Sequence, residues 1–334
     1  MKTIIIAEAG VNHNGNLSIA KKMISVAKEA GADFIKFQTF KTKNLVTKNA
    51  KMANYQKRNI FGKVGNQFSM LKKLEIDKSF HKILITECRK KKIKFLSTPF
   101  DLDSIDLLVK LKLKYFKIPS GEINNLVYLK KIGKLNKNIF ISTGMSNLQE
   151  IKEAISLLIK SGTNKNKIHV MHCNTAYPTP FADVNLNAML TIRKKFNIKT
   201  GISDHSLGIE VPIAAVALGA TVVEKHFTMN KNYLGPDHKA SLEPRELKEM
   251  ISKIRNIEKA LGSGIKKISH SEKENIKIAR KSIVAKLNIN KGEQFNEKNI
   301  TIKRPGTGIS PMKWFNVIGK KAKKNFKADE IIKI

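Results

Sequence analysis

Short β-branched or aromatic runs alternate along this chain with longer stretches whose apolar residues recur every three or four positions. That alternation of strand-like and helix-like periods predicts βα units and a parallel sheet. The strand-like runs are Thr3 to Ala7, Phe34 to Gln38, Ile93 to Ser97, Tyr115 to Ile118, Ile139 to Ser142, His169 to His172, Lys199 to Ser203 and Thr221 to Lys225, eight in all. Helix-like stretches between them include Leu17 to Ala30, Phe80 to Lys92, Leu102 to Leu111, Leu148 to Ser161 and Ile209 to Leu218. Glycine follows at Ala30-Gly31 and Leu218-Gly219, as expected where a helix ends in a left-handed residue.

Eight such units in about 230 residues match a TIM (β/α)8 barrel in number and size. A doubly wound open sheet is the structural rival. Against it, Gly10-Val11-Asn12-His13-Asn14-Gly15 after the first strand lacks the GxGxxG phosphate-turn spacing. The polar segment from Lys41 to Ser69 reads as a lid over the barrel mouth or an ordered insertion. Beyond the eighth strand, Pro244 to Leu261 reads as a further helix and Gly262 to Lys277 as a polar linker. Ser282 to Ala285 and Ile300 to Lys303, with Gly- and Pro-bearing turns, then suggest a small β-rich domain. The expected division is a barrel over 1–262, a linker over 263–277 and a small domain over 278–334.

Composition changes this picture little. With 334 residues and 41% hydrophobic content the chain can bury a full core, and its length suits one large and one small domain. A formal charge of +36 raises a polyanion partner, but the lysines are spread along the chain and on helix faces, which fits a solvated basic surface. The two cysteines, Cys88 and Cys173, make no CxxC or zinc-finger spacing and exclude a disulfide scaffold. No apolar run reaches the roughly 18 residues that span a bilayer, and the first ten residues lack a cleavage signature. The expectation is a soluble, cytoplasmic protein with no nucleic-acid or membrane partner.

In a TIM barrel the chemistry lies at the C-terminal ends of the strands. Here every predicted strand ends in polar residues: Glu8; Lys36 and Gln38; Ser97-Thr98; Lys117, Ser120 and Glu122; Ser142-Thr143; His172, Asn174, Thr175 and Tyr177; Ser203-Asp204-His205; Glu224-Lys225-His226. A lone Ser or Thr of this kind is ordinarily a helix cap, but eight polar mouths together describe a site. Lys36 and Lys117, surrounded by hydroxyls, suit a compact anion carrying phosphate and carboxylate groups. His205 and His226 end adjacent strands, so their imidazoles can converge on one divalent ion; the rival reading makes each a cap or mouth filler. Glu8, Glu122 and Asp237 are carboxylates near the same mouth whose roles, as hydrogen-bond acceptor or base, the pattern leaves open.

These residues lie in motifs that resemble the N-acetylneuraminate (sialic acid) synthase family, including the close legionaminic acid synthases. The motifs are AEAGVNHNG (Ala7 to Gly15), KFQTF (Lys36 to Phe40), STPFD (Ser97 to Asp101), KIPSGEINN (Lys117 to Asn125) and STGMS (Ser142 to Ser146). HCNTAYPTPFADVNL (His172 to Leu186), SDHSLG (Ser203 to Gly208), EKHFT (Glu224 to Thr228) and GPDHKASLEP (Gly235 to Pro244) follow, then ARKSIVA (Ala279 to Ala285) and KRPGTGISP (Lys303 to Pro311). The resemblance runs essentially from end to end and implies a TIM barrel followed by an antifreeze-like (SAF) domain, in a domain-swapped homodimer.

By motif it implies metal ligation by His205 and His226, with Mn2+ foremost and Mg2+ or Co2+ in its place. It implies phosphoenolpyruvate contacts at Lys36, Thr98, Lys117, Ser120, Ser142 and Ser203, with Gln38 and Asn174 in the same substrate-binding set. Glu8 falls at the hydroxyl-binding glutamate, Glu122 at a catalytic carboxylate, Tyr177 at a sugar-contacting tyrosine, Asp237 in the loop near the metal, and Arg304 at a swapped residue that meets the N-acyl group; His226 joins Glu8 and Glu122 in the catalytic set. Thr175 departs from the pattern, since some members carry Asn there and Asn174 is offset by one. The expected reaction is condensation of phosphoenolpyruvate with N-acetylmannosamine to N-acetylneuraminate and phosphate. The alternative sugar is 2,4-diacetamido-2,4,6-trideoxymannose, giving legionaminic acid, and the alternative of another class is a non-catalytic glycan- or polyanion-binding protein.

Overall fold

A computed structural model describes residues 2–59 and 66–334. The chain divides into two compact units, Met1–Gly262 and Ser263–Ile334. The first carries strands β1 (Ile4–Gly10), β2 (Phe34–Thr39), β3 (Lys94–Pro99), β4 (Tyr115–Ile118), β5 (Asn138–Ser142), β6 (Ile168–Cys173), β7 (Lys199–Asp204) and β8 (Val222–His226). Their ladders are parallel and run in the order β3-β2-β1-β8-β7-β6-β5-β4, with β3 packed beside β4. The sheet therefore curls into a nearly closed TIM-like barrel, with helices between successive strands.

The helices follow their apolar spacing. In Leu17–Ala30, Ala20, Met23, Ile24 and Ala27 lie three or four apart and are fully buried against the outer wall of the barrel, beside Ile5, Ala7 and Ala9 of β1. Burying Met23 and Ile24 contributes about 1.5–3 kcal/mol each. Asn16 opens the helix by accepting from the Ile19 amide, and Gly31 closes it at φ 92°, a left-handed position where a Cβ would be strained.

Alternation along the strands places the site. Ile6, Phe34, Leu96, Phe140, Met171 and Val222 point inward and fill the lower barrel with a dry layer. Two residues further along the same strands the inward positions become Glu8, Lys36, Thr98, Ser142, Cys173 and Glu224, joined by Lys117 and Ser203, and all eight are buried. The barrel thus has an apolar floor and a polar ceiling one pleat higher.

The segment after β2 is ordered by short helices, Thr42–Leu45, Asn54–Asn59 and Gln67–Leu74; residues 60–65 of it lie outside the described residues. Thr42 donates through its amide and its hydroxyl to Glu75 Oε2, and Asn59 Nδ2 donates to the Pro236 carbonyl at 2.6 Å. The second unit pairs β9 (Ser282–Ala285) with β10 (Ile300–Lys303) in antiparallel register around Ile283, Phe295, Ile300, Val317 and Phe326. The stretch read as a linker holds more structure than its polarity suggested: a 3-10 turn at His270–Glu272 leads into a helix, Lys273–Ala279. Among the described residues no helix is long and apolar enough to cross a membrane.

Candidate active site

The polar ceiling is a network of two cations and two carboxylates. Lys36 Nζ lies 2.9 Å from Glu8 Oε1, 2.9 Å from Thr98 Oγ1 and 3.5 Å from Glu224 Oε1. Glu224 Oε1 also accepts from Lys117 Nζ at 2.9 Å and Ser203 Oγ at 3.0 Å. Each group reaches the centre because its strand delivers it at an inward position, and the apolar floor beneath keeps the charges out of water. Burial alone would raise the Glu224 carboxyl, but Lys117 and Lys36 outweigh it and hold it down to about 2. Glu8 goes the other way: burial raises it to about 7 against the pull of Lys36, with Glu224 adding repulsion. Burial would lower Lys36, yet Glu224 and Glu8 together raise it, so this ammonium stays charged.

The network is internally incomplete. Glu8 Oε2, Glu224 Oε2, Ser142 Oγ and His226 Nδ1 are buried with no hydrogen-bond partner. Unpaired buried polar atoms cost about 1–3 kcal/mol each, and these four belong to residues gathered at one mouth of the barrel.

His205 and His226 stand with ring centroids 5.3 Å apart. His205 Nδ1 donates to the Asn174 carbonyl at 2.6 Å, which leaves Nε2 as the nitrogen that bears the lone pair in the neutral ring, and Cys173 Sγ lies 3.8 Å from the same Nδ1. Burial would lower His205, but Cys173 and the Asn174 carbonyl outweigh it and raise it. His226 is driven well below the usual imidazole range by burial and by His205, and so is neutral. On the outer side of the wall Lys225 Nζ lies 2.6 Å from Asp204 Oδ2, tying β7 to β8 one residue before each histidine. A neutral imidazole with an orphaned nitrogen beside one oriented by a carbonyl fits a divalent ion. Among the described residues no group of three or more His, Cys, Asp or Glu side chains gathers to hold a metal.

Above the network lies a cavity of about 470 Å3. Glu8, Lys36, Gln38, Thr98, Lys117, Ser120, Ser142, Tyr177, Ser203, His205 and His226 all line it. Asp237 lines an adjoining annex together with His226, and burial pushes its carboxyl up to about 6. Two predicted residues of the barrel lie outside both linings, and a third belongs to the second unit. Glu122 sits in the 3-10 turn after β4, outside the lining, accepting from Asn125 Nδ2 at 2.7 Å, and burial raises its carboxyl. Asn174 spends its side chain on its own loop, accepting from the Ala176 amide at 2.8 Å, while Thr175 faces the cavity. Arg304 belongs to the second unit, where its Nε donates to the Ala279 carbonyl at 3.1 Å.

The strand-end reading named Glu224 without giving it a role; it is the inward neighbour of His226, two positions before it on β8, and lines the cavity. Tyr55 and Gln67, from the segment after β2, carried no such signal; Tyr55 stacks on Tyr177 with centroids 4.9 Å apart, and Tyr177 lies 4.0 Å from the His205 ring. Gly144 is required by close approach: its amide donates to Ser120 Oγ at 3.0 Å, and a Cβ there would meet Ser120 Oγ at 2.9 Å and Thr175 Cγ2 at 2.6 Å.

Residues 23–266 match the NeuB family and residues 280–334 match the SAF domain. The chain is 57% identical over 332 residues to an N,N'-diacetyllegionaminic acid synthase of Campylobacter jejuni, covering 99% of each. A Legionella pneumophila protein of the same name is 44% identical, over 98% of this chain and 92% of its own length. The crystal structure of an N-acetylneuraminic acid (sialic acid) synthetase from Leptospira borgpetersenii in complex with citrate superposes with TM-score 0.71 at 34% identity, covering 83% of this chain and 90% of that one. The family match and these relatives, together with a barrel that carries this polar ceiling, make the chain an enzyme of the sugar-acid synthase class. It belongs to the NeuB family, the sialic acid synthase family that its motifs resemble.

Proposed function

We propose that this enzyme condenses phosphoenolpyruvate with 2,4-diacetamido-2,4,6-trideoxymannose and water, giving N,N'-diacetyllegionaminic acid and phosphate. The observation that carries the choice of sugar is the 57% identity, over essentially the whole of both chains, to a relative named for that product. N-acetylmannosamine, the first expectation from the motifs, gives way on this ground, since the matching sialic acid synthetase structure is only 34% identical.

The chemistry assigns work to each part of the cavity. Lys36 and Lys117, with Thr98, Ser120, Ser142 and Ser203, bind the phosphate and carboxylate of phosphoenolpyruvate. Glu224 keeps both ammonium groups in place before the anion arrives. The methylene carbon of phosphoenolpyruvate attacks the aldehyde carbon of the open-chain sugar and the new carbon-carbon bond forms. Water then adds to the cationic carbon that bore the phosphate, and the tetrahedral adduct collapses with loss of inorganic phosphate. Glu8, titrating near neutrality, holds a sugar hydroxyl as donor or acceptor, and Tyr177 borders the sugar. A divalent ion held by His205 and His226, Mn2+ foremost, supplies Lewis-acid polarisation of the aldehyde oxygen when bound. A homodimer, contact of Arg304 with the sugar's acyl group and a cytoplasmic location belong to the same proposal and rest on family membership.

The test is phosphate release from phosphoenolpyruvate and Mn2+ with each sugar in parallel. Faster turnover of 2,4-diacetamido-2,4,6-trideoxymannose supports the proposal; faster turnover of N-acetylmannosamine replaces its sugar; no release with either overturns the condensation.

A further inference from the structure

Beside the two histidines lies a buried ion pair that forms no part of the lining of the cavity or its annex. Lys225 and Asp204 are both buried, and each stands between two inward-facing residues, Glu224 and His226 in one case and Ser203 and His205 in the other. Lys225 Nζ lies 2.6 Å from Asp204 Oδ2 and donates to the Ser206 carbonyl at 2.5 Å. Asp204 in turn accepts from the Ser206 amide through Oδ1 and from the Ser206 hydroxyl through Oδ2, each at 3.0 Å. The three side chains and that carbonyl close a bracket around His205, the residue between Asp204 and Ser206.

The two imidazoles need such a bracket unequally. His226 is the last residue of β8 and is held by the sheet: it pairs with Glu8 of β1 in parallel register, and the Phe227 amide donates to the Glu8 carbonyl at 2.9 Å. His205 follows the end of β7. The β7–β8 ladder stops at Asp204 and Lys225 and the β6–β7 ladder at Cys173 and Ser203, so among the described residues no ladder pair includes His205. Its backbone is placed instead by the Thr179 amide, which donates to the His205 carbonyl at 2.9 Å, and by the bracket on its two neighbours. A buried ion pair offsets its own desolvation only when its geometry is close to ideal, so it holds its members to a narrow set of positions.

We propose that Lys225 and Asp204 are positioning residues for the metal site: their pair fixes where the His205 imidazole stands against His226, and so sets the affinity for a divalent ion. The inference rests on the proposed ligation by these two histidines and adds the device that holds them in register.

The test is calorimetric titration of Mn2+ into the metal-free protein as wild type, as Lys225→Met and as the double variant Lys225→Met/Asp204→Asn, with urea unfolding of each. The double variant removes both charges, leaves neither buried without its partner, and carries the test should Lys225→Met not fold. The Kd for Mn2+ is expected to rise about 10- to 100-fold in the folded variants, the usual loss when a group that orients a metal ligand is removed. A lowered urea midpoint with an unchanged Mn2+ Kd would show a role in stability alone and overturn the positioning. His226→Ala is the control that the Mn2+ measured is held at this site. Failure of the ligation itself looks different: the wild type binds no Mn2+, or His226→Ala binds it equally well.

Discussion

Lys117 Nζ lies 2.9 Å from Glu224 Oε1 across the barrel interior, joining β4 to β8, which are not neighbours in the sheet. The same oxygen accepts from Ser203 and lies 3.5 Å from Lys36 Nζ, so one carboxylate faces both of the cations to which the proposed function assigns the anionic substrate. Replacing it by an amide separates the two roles. Glu224→Gln leaves Lys36 and Lys117 short of a buried counter-charge and is expected to cost about 3–5 kcal/mol of stability. On the proposed function phosphoenolpyruvate supplies that charge, so it should raise the unfolding midpoint more in the variant than in the wild type, as urea unfolding with and without the ligand will read.

Lys117→Met removes one of the two ammonium groups to which the proposed function assigns the anion, at a position to which it assigns no sugar contact. The KM for phosphoenolpyruvate is expected to rise about 10- to 100-fold, the equivalent of about 1.5–3 kcal/mol for a hydrogen bond to a charged group. The KM for the sugar should change little. Steady-state kinetics with each substrate varied in turn checks both values.

His226→Ala deletes a neutral imidazole whose Nδ1 has no partner in the protein. The variant should lose Mn2+ binding in calorimetric titration and at least about 100-fold in turnover, since even outer-shell changes at metal sites cost about 10- to 100-fold. Full turnover of this variant after chelator treatment would remove His226 from the metal site.

The raised Glu8 carboxyl gives a stability change of definite sign. It shifts from 4.5 to about 7 on folding, so between these values the folded protein binds a proton that the unfolded chain releases. Its contribution to stability is therefore present at low pH and lost as pH rises through about 7. Wild type and Glu8→Gln are expected to differ in stability by an amount that falls between pH 5 and pH 8, measured as urea midpoints across that range. The buried histidines, which titrate in the same region with opposite sign, are common to both proteins and cancel in the difference.

Much of this protein was determined locally. Helix periodicity in Leu17–Ala30 and the β-branched runs at Ile4–Gly10 and Val222–His226 follow from near neighbours in the chain, because the 3.6 and 2.0 periods decide which side chains can be buried together. The strand ends likewise announced Lys36, Lys117, His205 and His226, since in a parallel barrel the last inward positions face one mouth. Tertiary structure decided what these groups do to one another. That Glu224 spans the barrel to Lys117, that Tyr55 stacks on Tyr177 from a segment after another strand, and that Asn174 turns its side chain into its own loop while Thr175 faces the cavity all depend on how strands far apart in the chain curl together. The opposite titration of Glu8 and Glu224, two buried glutamates on neighbouring strands, has the same origin: burial dominates at Glu8, whose close cation is Lys36, while Glu224 lies within reach of both Lys117 and Lys36, so the number of cations the barrel brings to each carboxylate sets a charge that residue type alone leaves open.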